Sequence, residues 1–179
     1  LGCRVRRSGT TLAVDAPAEL GHTVPDGPMG RMRASVLFLG ALLGRTGRAA
    51  ACWPGGCALG ARPIDLHLRA FRALGAEVRE DGDRLVCAAA ALHGRLIVFP
   101  FPSVGATEDA MLAAVGAQGV TILENAAREP EIVDLQGFLR ALGAEVAGAG
   151  TERIVVCGGR PLRPGTYTVM ADRIVAATY

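Results

Sequence analysis

Leu74-Gly75-Ala76-Glu77-Val78 returns 68 positions later as Leu142-Gly143-Ala144-Glu145-Val146, and a weaker copy, Leu1-Gly2-Cys3-Arg4-Val5, stands 73 positions earlier. Self-similarity at a fixed period is the signature of a fold built from one supersecondary unit used several times. Working outward, a helical pattern precedes each full copy, over 64–74 and 132–142. A polar turn and a short strand follow, at Asp83-Arg84-Leu85-Val86 and at Glu152-Arg153-Ile154-Val155-Val156. Gly75 and Gly143 sit where a left-handed residue would stop each helix.

Each copy carries an earlier helix and strand as well. The stretch 32–43 is apolar on every side except Arg33 and Ser35, and 106–115 is nearly so. A helix apolar all round belongs in a core, with sheet packed outside it. Short strands follow at 48–53 and 120–124. The unit therefore reads helix–strand–helix–strand–strand. The chain is expected to hold two such units, the tail of one before them and the start of another after Asp172, and so to be part of a longer polypeptide. Glycine and proline mark 19–30, 54–61 and 158–165 as loops.

Composition fits one globular domain. The chain has 179 residues, half of them hydrophobic and 20% charged, against roughly 100–200 residues per domain. This excludes a disordered tail. The longest apolar run, near 36–43, falls well short of the ~20 residues of a membrane span. Net charge is +2, every one of the 19 basic residues is Arg, and aromatics make up 4%. Scattered arginines with few rings to stack bases argue against a nucleic-acid partner. The five cysteines form no CxxC pair and no metal-ligand spacing with histidine, so neither a metal nor a cofactor is expected. An odd number of thiols points to a reducing cytoplasm.

The most unusual segment runs Trp53-Pro54-Gly55-Gly56-Cys57-Ala58-Leu59-Gly60-Ala61-Arg62-Pro63-Ile64-Asp65-Leu66-His67. Glycines around Cys57 permit close approach of a ligand, and Pro63 suits the first position of a helix. Arg62 would then stand beside free N–H groups at a helix N-terminus, an anion site that also favours a Cys57 thiolate. The alternative is that Cys57 is a buried small hydrophobe in an ordinary turn. Asp65 caps its helix or accepts hydrogen bonds from a ligand, with spacing in favour of the cap. Arg33 must be paired or face a cleft. Ser103, Val104 and Gly105 precede a core helix, where they either bind a polar ligand or simply cap. The acidic run around 124–131 offsets a helix dipole.

Taken together, Met32-Arg33-Ala34-Ser35, Pro54-Gly55-Gly56-Cys57, Gly60-Ala61-Arg62-Pro63-Ile64-Asp65-Leu66-His67, Ser103-Val104-Gly105-Ala106-Thr107 and the stretch 124–134 resemble the UDP-N-acetylglucosamine enolpyruvyl transferases (UDP-N-acetylglucosamine 1-carboxyvinyltransferases) in order and spacing. The resemblance implies an inside-out α/β domain of repeated helix–strand units. Residues 1–171 would form the Cys-loop domain with its first unit truncated, and 172–179 would begin the hinge to a second domain. It implies transfer of the enolpyruvyl group of phosphoenolpyruvate to the 3-hydroxyl of UDP-N-acetylglucosamine, the first committed step of peptidoglycan synthesis. Cys57 matches the family's proton-donating, fosfomycin-reactive cysteine, and Arg62 an arginine that meets the anionic substrate. Arg33, Arg62, Pro63, Ile64, Asp65, Leu66, Ser103, Val104 and Gly105 match positions that hold the UDP-sugar. Phe101 stands where some members carry Lys, and Val175 where the family usually has Glu. A non-catalytic UDP-sugar-binding paralogue and a shikimate-type transferase are the alternatives, the Cys loop speaking against the second.

Overall fold

The computed structural model describes residues 1–53 and 63–179. The first element is a hairpin, β1 (Arg4–Ser8) and β2 (Thr11–Asp15), every strand residue of which is exposed. A short helix α1 (Asp26–Arg31) follows inside the stretch expected to be loop. It is anchored by Met29, which is fully buried and donates its N–H to the Pro25 carbonyl. A 3-10 turn at Arg33–Val36 leads into α2 (Leu37–Thr46), so the single helix expected over 32–43 is divided and runs further. Gly47, at φ 70°, stops it and donates to the Leu43 carbonyl.

The remaining elements are β3 (Arg48–Cys52), α3 (Asp65–Ala73), β4 (Glu77–Asp81), β5 (Arg84–Ala88), β6 (Leu96–Val98), α4 (Val104–Gly116), β7 (Gly119–Glu124), α5 (Pro130–Ala141), β8 (Glu145–Ala147), β9 (Arg153–Gly158) and α6 (Arg173–Thr178). One sheet has the order β3-β5-β4, all antiparallel; the other has the order β6-β7-β9-β8, with only β6 and β7 parallel. In the earlier unit a single parallel bridge, Thr23 to Ala50, stands where β6 stands in the later one.

The repeat is exact at its stop signals. Gly2, Gly75 and Gly143 all hold φ between 83° and 98°. At both full copies the residue after the glycine bonds back five positions, Ala76 N–H to the Phe71 carbonyl and Ala144 N–H to the Leu139 carbonyl. This is the Schellman closure of a helix, and only glycine adopts its left-handed residue without strain.

The two apolar helices lie in the middle, as their patterning requires. Gly40 and Gly44 on α2 turn toward α4: a Cβ on Gly40 would stand 2.5 Å from the Asp109 carbonyl oxygen, and one on Gly44 would stand 2.8 Å from that of Leu112. Glycine thus lets the two backbones approach to contact. Leu39, Leu42, Leu43, Met111, Ala113 and Ala114 fill the space around them. The sheets cover this pair from outside, which makes the domain inside-out in the sense the repeat implied.

Candidate functional site

The segment that enters α3 and the first turn of α4 come together at one histidine. His67 lies in the first turns of α3, with its side chain only 5% exposed. Its Nδ1 is 2.7 Å from Asp109 Oδ2 on α4, and Asp109 Oδ1 accepts the Gly40 N–H of α2 at 3.0 Å. One buried carboxylate therefore ties three helices. Burial drives the Asp109 carboxyl above the ordinary carboxylate range, while the His67 bond, the His67 charge and the Gly40 N–H oppose that rise. The imidazole also lies beside Gly105, where a Cβ would come 3.1 Å from His67 Cε1 and 3.4 Å from Nε2.

The sequence candidates fall around this contact. Ser103 is the N-cap of α4, its Oγ accepting from the Ala106 N–H at 3.5 Å. Its hydroxyl proton remains to be donated elsewhere. Val104 and Gly105 are half-buried, and as first-turn residues their N–H groups have no acceptor within the helix. Pro63 does not occupy the first helical position. Ile64, at φ −110° and ψ 17°, stands outside helical geometry, and α3 begins only at Asp65. Asp65 is consequently not a cap but an exposed first-turn acid, well placed for the dipole. The side chains of Ile64 and Leu66 are buried in the core, which leaves their backbone as the only part open to contact from outside. Arg33 opens the 3-10 turn before α2, half-buried and in no ion pair among the described residues. Cys57, Arg62 and the Gly-rich stretch around them lie outside the described residues.

Three features had no reading in the sequence. Asp109, completely buried, is the first; its signal was the acidic pair Glu108-Asp109 within an otherwise apolar helix. The second is Glu108, whose neighbours in a groove of about 320 Å³ include Leu37, Glu131 and Asp134. Burial first, then the charges of Asp109 and Glu131, push its carboxyl up to about 7. The third is the strapping of the C-terminal segment onto α5. Tyr167 OH donates to Asp134, and Arg173 makes a two-pronged bond to Glu131 at 2.9 and 3.1 Å. Asp172 caps α6 through the Ile174 and Val175 N–H groups.

Central helices flanked by repeated sheets, with the Ser103-capped first turn of α4 beside the entry to α3, have the architecture of an enolpyruvyl transferase domain. The chain matches the EPSP synthase (3-phosphoshikimate 1-carboxyvinyltransferase) family over residues 1–179 and belongs to that family. It is 46% identical over all 179 residues to UDP-N-acetylglucosamine 1-carboxyvinyltransferase 2 of Caldanaerobacter subterraneus subsp. tengcongensis. To UDP-N-acetylglucosamine 1-carboxyvinyltransferase of Solidesulfovibrio magneticus it is 49% identical over the same span. It covers 43% of the length of each of these relatives. Among solved structures, the enolpyruvyl transferase NikO from Streptomyces tendae matches with a TM-score of 0.77 and 28% identity, over 99% of this chain and 43% of that one. EPSP synthase from Acinetobacter baumannii shares the fold, with a TM-score of 0.65 and 21% identity over 90% of this chain and 37% of that one. Among the described residues no helix is long and apolar enough to cross a membrane.

Proposed function

We propose that this chain is the Cys-loop domain of a cytoplasmic enzyme that transfers the enolpyruvyl group of phosphoenolpyruvate to the 3-hydroxyl of UDP-N-acetylglucosamine and releases phosphate, the first committed step of peptidoglycan synthesis. The observation that carries this reading is that His67, which directly follows segment 63–66, lies beside Gly105 in the first turn of α4 and so brings two distant candidate segments near each other. Together they offer what a nucleotide diphosphate needs. The first-turn N–H groups of α4 favour anionic oxygens, and the Ser103 hydroxyl can donate to one of them. Exposed Pro63 and Asp65 present an apolar ring and a hydrogen-bond acceptor beside them. Arg33, unpaired among the described residues, supplies a cation. Identity of 46–49% with relatives named for this activity supports the same reading.

In this reading Cys57 donates the proton and Arg62 holds an anionic substrate. The remaining polypeptide contributes a second domain reached through a hinge at 172–179, and the active site is shared between the two. The test is turnover by the full-length polypeptide, followed as phosphate release from phosphoenolpyruvate and UDP-N-acetylglucosamine. Loss of a general acid costs on the order of 10²–10⁴-fold, so Cys57→Ala should lower the rate by that much. Arg62→Ala should weaken binding of the nucleotide sugar by roughly 1.5–3 kcal/mol, the worth of a charge-assisted bond. A full-length protein that binds the nucleotide sugar but never releases phosphate would instead be a binding paralogue.

A further inference from the structure

A buried ionisable pair is a costly way to hold helices together. Taking both partners out of water costs several kcal/mol per ion before their attraction is counted, and apolar residues of similar volume commonly replace such a pair at no loss of stability. What a hydrogen-bonded pair provides beyond packing is one fixed distance and angle. His67 and Asp109 are placed where such precision has an object. His67 immediately follows the segment 63–66, and its Cε1–Nε2 side lies beside Gly105. Asp109 is one helical turn below Gly105 on α4 and is pinned to α2 through the Gly40 N–H. Gly105 leaves the ring room: a Cβ there would stand 3.1 Å from His67 Cε1 and 3.4 Å from Nε2, so any side chain would press on the imidazole at the α4 first turn.

We infer that His67 and Asp109 form a positioning pair that sets the separation of segment 63–66 from the first turn of α4, and thereby the fit of the two backbone segments to a nucleotide sugar. The inference rests on the proposed nucleotide-sugar site and adds to it two residues that do not touch the ligand. Ligand affinity then depends on the pair more steeply than folding does.

The experiment compares the chain with three variants by calorimetric titration of UDP-N-acetylglucosamine, by thermal melting, and by residual dipolar couplings reporting α3 against α4. His67→Leu/Asp109→Leu removes the pair while keeping the volume apolar. It should melt within a few degrees of the parent yet bind roughly tenfold more weakly, about the worth of one lost hydrogen bond in register. His67→Asn puts an amide nitrogen where Nδ1 stood and should retain affinity within about twofold, whereas His67→Gln puts it where Nε2 stood and should not. Parent-like affinity in the folded double variant would overturn the inference. Should that variant not fold, equal affinities for the Asn and Gln variants would do so. A parent that fails to bind the nucleotide sugar overturns the proposed site instead. The couplings then judge the pair alone: a changed α3–α4 orientation in the Gln variant, absent in the Asn variant, sustains it, and unchanged couplings refute it.

Discussion

A thiol's reactivity follows its thiolate fraction, and Cys52 and Cys87 are held away from that form. Cys87 is fully buried on β5, and desolvation pushes its thiol up to about 12. Cys52 is raised as well, by burial first and then by the charge of Asp26. Cys57 has the opposite surroundings in the sequence, with two glycines before it and Arg62 five residues on. Timed iodoacetamide labelling of the folded chain at neutral pH should modify Cys57 ahead of Cys52 and Cys87. Equal rates would remove the case for a reactive loop. Glu108 yields a second prediction at this scale. Its carboxyl is raised from 4.5 to about 7 in the folded chain, so the folded state binds the proton more tightly than the unfolded state. Stability contributed by that proton is complete below about pH 4.5 and is lost as pH rises through 7. Glu108→Gln, a mimic of the neutral acid, should therefore raise the melting temperature at pH 8 and leave it unchanged at pH 4. An equal shift at both values would contradict the assignment. Ser103, Arg33, Arg62 and Asp65 were legible as candidates because their residue types announce chemistry, whereas Pro63, Ile64 and Leu66 entered only through the family resemblance. The His67–Asp109 bond was not, since it joins two different helices at positions 42 residues apart and no local spacing encodes such a contact.

Helices and strands were legible wherever a local signal sets them. The stop glycines, the apolar helices and the strand pair after each glycine all follow from periodicity and turn chemistry. Two features escaped for physical reasons. The short helix α1 is held by the burial of Met29 rather than by propensity, and α3 starts two residues late because Ile64 is buried in a non-helical conformation. The α2–α4 contact is where the fold depends most on particular residues. A Cβ on Gly116 would collide with the Gly44 carbonyl oxygen, and one on Gly44 would stand 2.8 Å from that of Leu112. Backbone cannot move aside as a side chain can. Gly44→Ala and Gly116→Ala should each destabilise the chain by about 1–3 kcal/mol, the usual cost of overpacking, measured by urea denaturation. Gly30→Ala is the control: nothing lies within 4 Å of its Cβ position on α1, so the gain in helix propensity should leave stability equal or slightly higher. A neutral outcome at both Gly44 and Gly116 would mean that the central helices are not in backbone contact.

At the scale of the whole molecule, the β1–β2 hairpin differs from the two full units in its burial. The β1–β2 hairpin repeats the strand pair that follows Gly75 and Gly143, yet every residue of its strands is exposed, including Val5, Leu12 and Val14 at 55–61%. In the two full units the corresponding strands have apolar residues such as Leu85, Val146 and Ile154 buried against helices. The chain spans 43% of the length of the relatives it matches. In the proposed enzyme the active site is shared with the second domain. A transition state between two domains needs groups from both held in place at once, and most of the gain from positioning disappears when one set is absent. The 179-residue chain on its own should therefore bind UDP-N-acetylglucosamine through residues 63–66 and 103–105 and release no phosphate above background with phosphoenolpyruvate present. Adding the remainder of the polypeptide in trans should restore turnover if the hinge at 172–179 is a connection rather than part of the catalytic geometry. Phosphate release by the chain alone, abolished by Cys57→Ala, would show that a single domain suffices and would overturn the shared active site.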